Sequence, residues 1–347
     1  MPKKNKTLHA KLIANPGSGT VAGRGKLLEQ VIRDLKSLGV KVDVSVAKPK
    51  ENAIPIARKA VKDGYKLIIA MGGDDTIEAV IRGIGGAKVH LGMIPVGTAN
   101  NLAKSLGIPE DPKQACQLIA SNQIRKLDMG QVKLKNGKKF LFFELVTVGI
   151  AAAVYPDLEK VNKGRLSSIT GVIQTFLSHE IKPKITLMMD GESVITVETM
   201  LAIASNVPLI GPNMLVDPNA SLEDGLLDIS LYPSFSKAEL LSYSTKVMHE
   251  GSTDDGSIQR YRARKLKIKS SPRLAVMADG VMLGKGTAKI KVMAGALRVI
   301  APDVGAGIEK LPVAKSEELP TPVAPVSNSI EPPNNGKSDL IEVPAKK

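Results

Sequence analysis

Leu67-Ile68-Ile69-Ala70-Met71-Gly72-Gly73-Asp74-Asp75-Thr76 runs five apolar residues straight into two glycines, two acids and a threonine, and a helical apolar pattern follows from Ile77 to about Ile84. An unbroken apolar run of this length suits a strand buried on both faces, and such strands belong to parallel sheets covered by helices. Small residues between strand and helix let backbone N–H groups approach a phosphate, whose charge the helix N-terminus favours. The stretch predicts a nucleotide-binding α/β unit.

The same unit recurs on both sides of it. Leu8 to Ala14 reads as a strand ending in the turn Asn15-Pro16-Gly17-Ser18-Gly19, and a helix follows with Leu27, Leu28, Val31, Ile32, Leu35 and Leu38 on one face, stopped by Gly39. Val40 to Val46 alternates as a second strand, and Ala53 to Val61 as a second helix whose Pro55 is tolerated only in the first turn. Val89 to Ile94 is another buried strand, running into Pro95-Val96-Gly97-Thr98-Ala99-Asn100-Asn101 and a further helix. Alternating strands and helices of this length make a parallel sheet with helices on both faces, and ligands then sit beyond the carboxyl ends of the strands. Gly17, Ser18 and Gly19, then Gly72, Gly73 and Thr76, then Gly97 and Thr98 all fall on that edge. Any one such loop is better explained by a turn that needs positive φ. Three on one edge point to phosphate cradles.

Past Leu127 the texture changes. Met129 to Leu134, the hairpin signal Asn136-Gly137 and the apolar run Phe140 to Val148 come in succession, and further strands are predicted at Lys184 to Met189, Thr196 to Ser205, Leu227 to Leu231, Lys265 to Lys269 and Ala288 to Val292. Helical pattern survives mainly at Ser167 to Leu177 and Lys237 to Val247. The expected organisation is an α/β nucleotide-binding domain over residues 7–127, and a mainly antiparallel β domain for lipid or other substrate over 128–301. The last strand has the option of returning to the first domain. Residues 302–347, rich in Pro, Ser, Glu and Asn, are expected to be a disordered tail.

Bulk composition narrows the function classes. With 3% aromatic residues and no Trp the chain lacks base-stacking platforms, so nucleic acid is not an expected partner. A formal charge of +14 attracts phosphate in any form, including anionic lipid headgroups. One cysteine, Cys116, and four scattered histidines exclude an internal disulfide and show no transition-metal spacing. No run approaches the roughly 20 apolar residues of a spanning helix. The expected setting is cytoplasmic, with peripheral contact at the inner membrane face. Between Arg260 and Arg273 basic side chains fall mostly at alternate positions, so a strand there would show a basic face to solvent or to anionic lipid.

In order along the chain, Asn15-Pro16-Gly17-Ser18-Gly19, Gly72-Gly73-Asp74-Asp75-Thr76, Pro95-Val96-Gly97-Thr98-Ala99-Asn100-Asn101-Leu102-Ala103, Asp224-Gly225-Leu226-Leu227-Asp228 and Asp279-Gly280 resemble the diacylglycerol kinase catalytic family, in particular its soluble bacterial lipid kinases. The resemblance spans residues 8 to about 300. It implies an ATP-dependent lipid kinase with its site between two domains. ATP would lie against Asn15, Gly17, Ser18, Gly19, Gly72, Gly73, Asp74, Asp75, Thr76, Gly97, Thr98 and Asn100. Mg2+ would be held by Asp224 with the backbone carbonyls of Ser221 and Leu226, oxygen donors that suit a hard cation. Asp279, or Asp74 through water or magnesium, would be the base.

The chain also departs from the family, which usually has Gly where this sequence has Asp75, Asp where it has Asn101 and Glu where it has Val281. Asn101 keeps the reach of an aspartate but holds neither proton nor charge. Two alternatives therefore stay open beside the kinase of a lipid hydroxyl: a catalytically impaired homologue that binds nucleotide or lipid, and a kinase of NAD or another soluble acceptor. A homodimer is also left open.

Overall fold

A computed structural model describes residues 8–15, 24–47, 53–98, 100–135, 137–152, 183–210, 214–215, 217, 220–234, 239 and 257–303. In its first part β1 (Leu8–Ala14), α1 (Arg24–Ser37), β2 (Val40–Val46), α2 (Ile54–Lys62), β3 (Leu67–Gly72), α3 (Asp74–Ile84), β4 (His90–Pro95), α4 (Asn101–Ser105) and α5 (Pro112–Ser121) follow one another. β1 pairs in parallel with β2 and with β3, and β3 pairs in parallel with β4.

The unbroken apolar character of β3 has its cause in two cores. Leu67, Ile69 and Met71 pack with Val31 and Leu35 of α1 and with Cys116 and Ile119 of α5. Ile68 and Ala70 face the other way, against Ala57 and Ala60 of α2 and Ile77, Val80 and Ile81 of α3. Each large side chain so buried stabilises the fold by roughly 1.5–3 kcal/mol relative to exposure. The helix after β3 starts at Asp74, earlier than its apolar pattern from Ile77 suggested. Gly73 is its extended N-cap (φ −88°), and the acids Asp74 and Asp75 occupy its first turn, where the helix dipole favours negative charge.

The second part is strand after strand: β5 (Ile124–Leu134), β6 (Lys139–Phe142), β7 (Leu145–Gly149), β8 (Lys184–Met189), β9 (Ser193–Ser205), β10 (Leu209–Ile210), β11 (Met214–Leu215), β12 (Leu227–Pro233), β13 (Gln259–Ala263), β14 (Lys265–Ser271), β15 (Ala275–Ala278), β16 (Val281–Lys285) and β17 (Ala288–Ile300). One sheet runs in the order β16-β15-β7-β9-β8-β14-β17-β4-β3-β1-β2, with β5 and β6 branching from β17, and β12 and β13 branching from β9. β17 connects its two halves. Its first residues are antiparallel to β14 and β5, and its last ones, Arg298 and Val299, pair in parallel with β4.

Three expectations are revised. The apolar run Phe140 to Val148 is not one strand but β6 and β7, broken at Phe143 and Glu144, whose amides turn toward the Asp279 carboxylate. The basic run from Arg260 is two strands, β13 and β14, and the strand from Ala288 continues to Ile300. Gly17, Ser18 and Gly19, the helices expected at Ser167 to Leu177 and Lys237 to Val247, and the tail beyond Asp303 lie outside the described residues.

Candidate functional site

Because β1, β3 and β4 are parallel, the segments that leave their carboxyl ends meet on one edge. The Asn15 amide donates to the Met71 carbonyl at 3.0 Å, and the Val96 amide to the Gly72 carbonyl at 3.0 Å. The Asn15 side-chain Nδ2 donates to Thr76 Oγ1 at 3.0 Å, tying the first loop to the first turn of α3. The glycines here permit close approach. A Cβ on Gly97 would stand 2.4 Å from Gly73 Cα, and one on Gly72 would stand 2.6 Å from Thr76 Cβ. Gly72, Gly73 and Gly97 are all absent from the positive-φ positions, so a tight turn does not explain them. The first amides of a helix have no intrahelical acceptor. In α3 those of Asp74 and Asp75 are the donors available to an anion at this edge.

Asn100 shapes the loop that follows β4. It is buried and left-handed (φ 53°). Its Oδ1 accepts from the Gly97 amide at 3.0 Å, while its Nδ2 donates to the Gly97 carbonyl at 3.0 Å and to Glu110 Oε1 at 3.1 Å. Its amide is spent shaping the loop, so its contribution to a ligand is indirect. Thr98 is exposed beside it, and Thr76 is buried.

Acidic side chains gather on the face of α3 that continues from this edge. Asp74, Glu78 and Arg82 are four residues apart and so stand one above another. Asp279 lies in the turn between β15 and β16 with φ 41°. Its Oδ2 accepts from the Phe143 amide at 2.7 Å, and its Oδ1 accepts from the amides of Glu144 at 3.0 Å and Leu145 at 3.1 Å. The Arg82 guanidinium is 3.6 Å from Glu78, both side chains being largely buried. Asp74 Oδ1 and Arg82 Nε are buried with no hydrogen-bond partner.

The electrostatics of this group follow from too many acids on one cation. Burial, then Glu144, Asp279 and Asp75, push Glu78 up to about 9 against the pull of Arg82. Burial, then Asp279 and Asp74, raise Glu144 to about 7, again opposed by Arg82. Burial also raises Asp279, while the three backbone amides and Arg82 oppose it. Near neutral pH the group can take or release a proton, which suits transfer chemistry at a hydroxyl. Sequence reasoning missed Glu78, Arg82 and Glu144. The available signals were an acid and a base at helical spacing from Asp74, and a lone Glu inside the apolar run Phe140 to Val148.

The residues implied for magnesium lie in a second corner. The Leu226 amide donates to Asp224 Oδ1 at 3.0 Å, and Asp224 Oδ2 is ion-paired with Arg262, which also holds Asp228 at 2.8 Å. Asp128 of β5 fixes the loop, accepting from the Gly225 amide at 2.6 Å and from the Gly295 amide at 2.8 Å. Burial raises Asp128, the Gly295 and Gly225 amides oppose this, and Asp224 and Glu223 add to it. A carboxylate with two neighbouring carbonyls fits a hard cation by donor type. Arg262 is ion-paired with Asp224, so a cation would have to displace it to bind there. Among the described residues no cluster of three or more His, Cys, Asp or Glu side chains is arranged to hold a metal unaided. Of the missing acids, Asn101 opens α4 and Val281, which is exposed, opens β16.

Comparison with known proteins shows the family and the fold. The diacylglycerol kinase catalytic domain family matches residues 9–132, and the YegS C-terminal NAD kinase beta sandwich-like domain matches residues 144–301. A protein of Pseudomonas aeruginosa described as a YegS-like lipid kinase is 30% identical over 278 residues, covering 77% of this chain and 87% of that relative. A diacylglycerol kinase of Mycobacterium tuberculosis is 27% identical over 296 residues, covering 84% and 95%. The crystal structure of a diacylglycerol kinase from Bacillus anthracis superposes with a TM-score of 0.65 at 21% identity, covering 85% of this chain and 97% of that one, and so shares its fold.

Proposed function

The chain belongs to the diacylglycerol kinase catalytic family, and from that premise we propose that it transfers the γ-phosphate of ATP to the hydroxyl of a lipid such as diacylglycerol. One observation carries the reading: α3 joins the glycine-walled edge to the acid group, its first turn belonging to the one and its Glu78 and Arg82 to the other. The nucleotide phosphates would lie against Asn15, Gly72, Gly73, Gly97 and Thr98, and the acceptor hydroxyl beside Glu144 and Asp279.

In the reaction the lipid oxygen bonds to the γ-phosphorus, the bond from that phosphorus to the β,γ-bridging oxygen breaks, ADP leaves, and the hydroxyl proton passes to a carboxylate. Glu144 is the fitting acceptor of that proton. Among the described residues no group hydrogen-bonds its carboxylate, and its pKa of about 7 balances the two protonation states. Asp279, expected from the sequence as the base, has both oxygens taken by backbone amides and acts by position and charge. Asp74, with one buried oxygen lacking a partner, is next in line. Asp224 with the Ser221 and Leu226 carbonyls would hold magnesium, which when bound neutralises phosphate charge. The encounter with lipid is peripheral, at the cytoplasmic face of a membrane. No helix among the described residues is long and apolar enough to cross one.

The test is turnover of γ-labelled ATP with mixed lipid acceptors. Loss of the reading would show as tight ATP binding with no labelled lipid. Asn101 and Val281 favour a second reading, a homologue that binds without catalysis. Asn101→Asp with Val281→Glu would then raise activity from near zero, whereas good native activity with no gain would show that this chain meets the chemistry without those two carboxylates. Turnover without any lipid would indicate NAD or another soluble acceptor.

A further inference from the structure

Cross-strand register brings together lysines that are far apart in sequence. Lys139 of β6 pairs with Lys133 of β5, Lys133 with Lys289 of β17, and Lys289 with Lys267 of β14, so four lysines stand directly opposite one another across four neighbouring strands. The row continues into Met188 of β8 and Val194 of β9, which is 55% exposed. On the next row of the same face Lys265 pairs with Lys291, and Lys291 with Gln131. Paired residues of an antiparallel ladder share a face and strands lie about 4.8 Å apart, so neighbouring charges fall within one screening length.

Like charges directly opposite destabilise a sheet, and proteins usually interleave acids to avoid it. These rows contain none, and among the described residues none of the six lysines is ion-paired. Asp190, which follows β8, is turned onto the backbone amides of Arg264 and Lys265. The arginines of the adjoining strand differ: Arg260 pairs with Asp217, and Arg262 with Asp224 and Asp228. Between the lysine rows lies a depression of about 330 Å3 lined by Lys133, Lys265, Lys267, Lys289, Lys291 and Met188.

We propose that this lysine ladder is the face by which the protein docks on an anionic phospholipid surface. Charge complementarity selects the partner. A second copy of the chain would set lysine against lysine, and the rows carry no aromatic side chain for stacking on bases. Lysine stems extend over apolar surface while their ammonium groups reach phosphate, and Met188 and Val194 supply an apolar margin. The choice of lipid over another polyanion rests on the lipid-kinase reading, but the docking itself needs no turnover.

The test uses the full chain with sedimented vesicles of phosphatidylglycerol and phosphatidylcholine, and with phosphatidylcholine alone. Each lysine at an anionic leaflet contributes roughly fivefold in partitioning, so Lys133→Gln/Lys267→Gln/Lys289→Gln is expected to weaken binding by about 100-fold. Relief of like-charge repulsion should leave this variant at least as heat-stable as the parent. The control Lys36→Gln/Lys62→Gln/Lys113→Gln, with the same loss of charge on exposed helix positions, should bind within a few fold of the parent. The proposal fails if the parent ignores anionic vesicles, if both triple variants lose binding alike, or if a short oligonucleotide binds the ladder and vesicles do not. Measured separately, absence of labelled product with vesicle binding intact would count against the kinase reading and leave the docking face standing.

Discussion

The backbone amide of Glu144 donates to Oδ1 of Asp279 at 3.0 Å, so the segment that presents one acid also builds the seat of the other. The price of this arrangement is a broken strand. β6 ends at Phe142 and β7 begins at Leu145 because the amides between and beside them turn to the carboxylate.

Asp279→Asn replaces an acceptor-only group by one whose NH2 would face a donor. With three amide bonds at stake it should destabilise the protein by about 2 kcal/mol, read as a lower urea midpoint, and should also reduce kcat. An unchanged midpoint would reject the seat.

Raised to about 7, Glu144 is mostly in its proton-accepting form above that pH and mostly protonated below it. Phosphoryl transfer should therefore climb as pH rises through about 7, over a broad range because Glu78 and Glu144 titrate together. Glu144→Gln should remove that limb and slow kcat by about 100-fold or more while circular dichroism stays unchanged. A persistent limb in the variant would move the base to Asp74.

Glu78 carries a stability signature. Its carboxyl is raised to about 9 from an ordinary 4.5, so the folded state keeps a proton that the unfolded chain has released. The stabilising contribution of the protonated form is complete below the ordinary value and is lost as pH rises to about 9. Melting temperature should fall across that window, and Glu78→Gln should flatten the fall. Parallel curves for the two proteins would contradict the assignment.

Gly97→Ala tests the edge itself. Its Cβ would meet Gly73 Cα at 2.4 Å, which is backbone and cannot swing aside. The β3 and β4 loops should be pushed apart, costing about 1–3 kcal/mol and most of the ATP-induced rise in melting temperature. A normal rise would mean that the nucleotide lies elsewhere.

The strand, loop and helix units of the first part were legible because their signals are local. Leu67 to Met71 is apolar at every position since α1 and α5 cover one face while α2 and α3 cover the other. Gly72, Gly73 and Gly97 were also legible as special. The reason for Gly97 was not, because the clash it avoids is with Gly73 in the loop after another strand. Glu144 stayed hidden in an apolar run, since nothing within a few residues of it marks the turn that Asp279 imposes from 135 residues away.

From its own residues the chain determined a parallel α/β unit followed by a strand-rich part, the small-residue loops after β3 and β4 on one edge, and the family resemblance its motifs carry. Periodicity and glycine placement encode such things within a window of a few residues. Tertiary structure alone decided that Glu78, Glu144 and Asp279 share one guanidinium, and that Lys133, Lys267 and Lys289 share one row. Charge interacts across space and strand register is set by pairing, so neither group exists until distant segments meet.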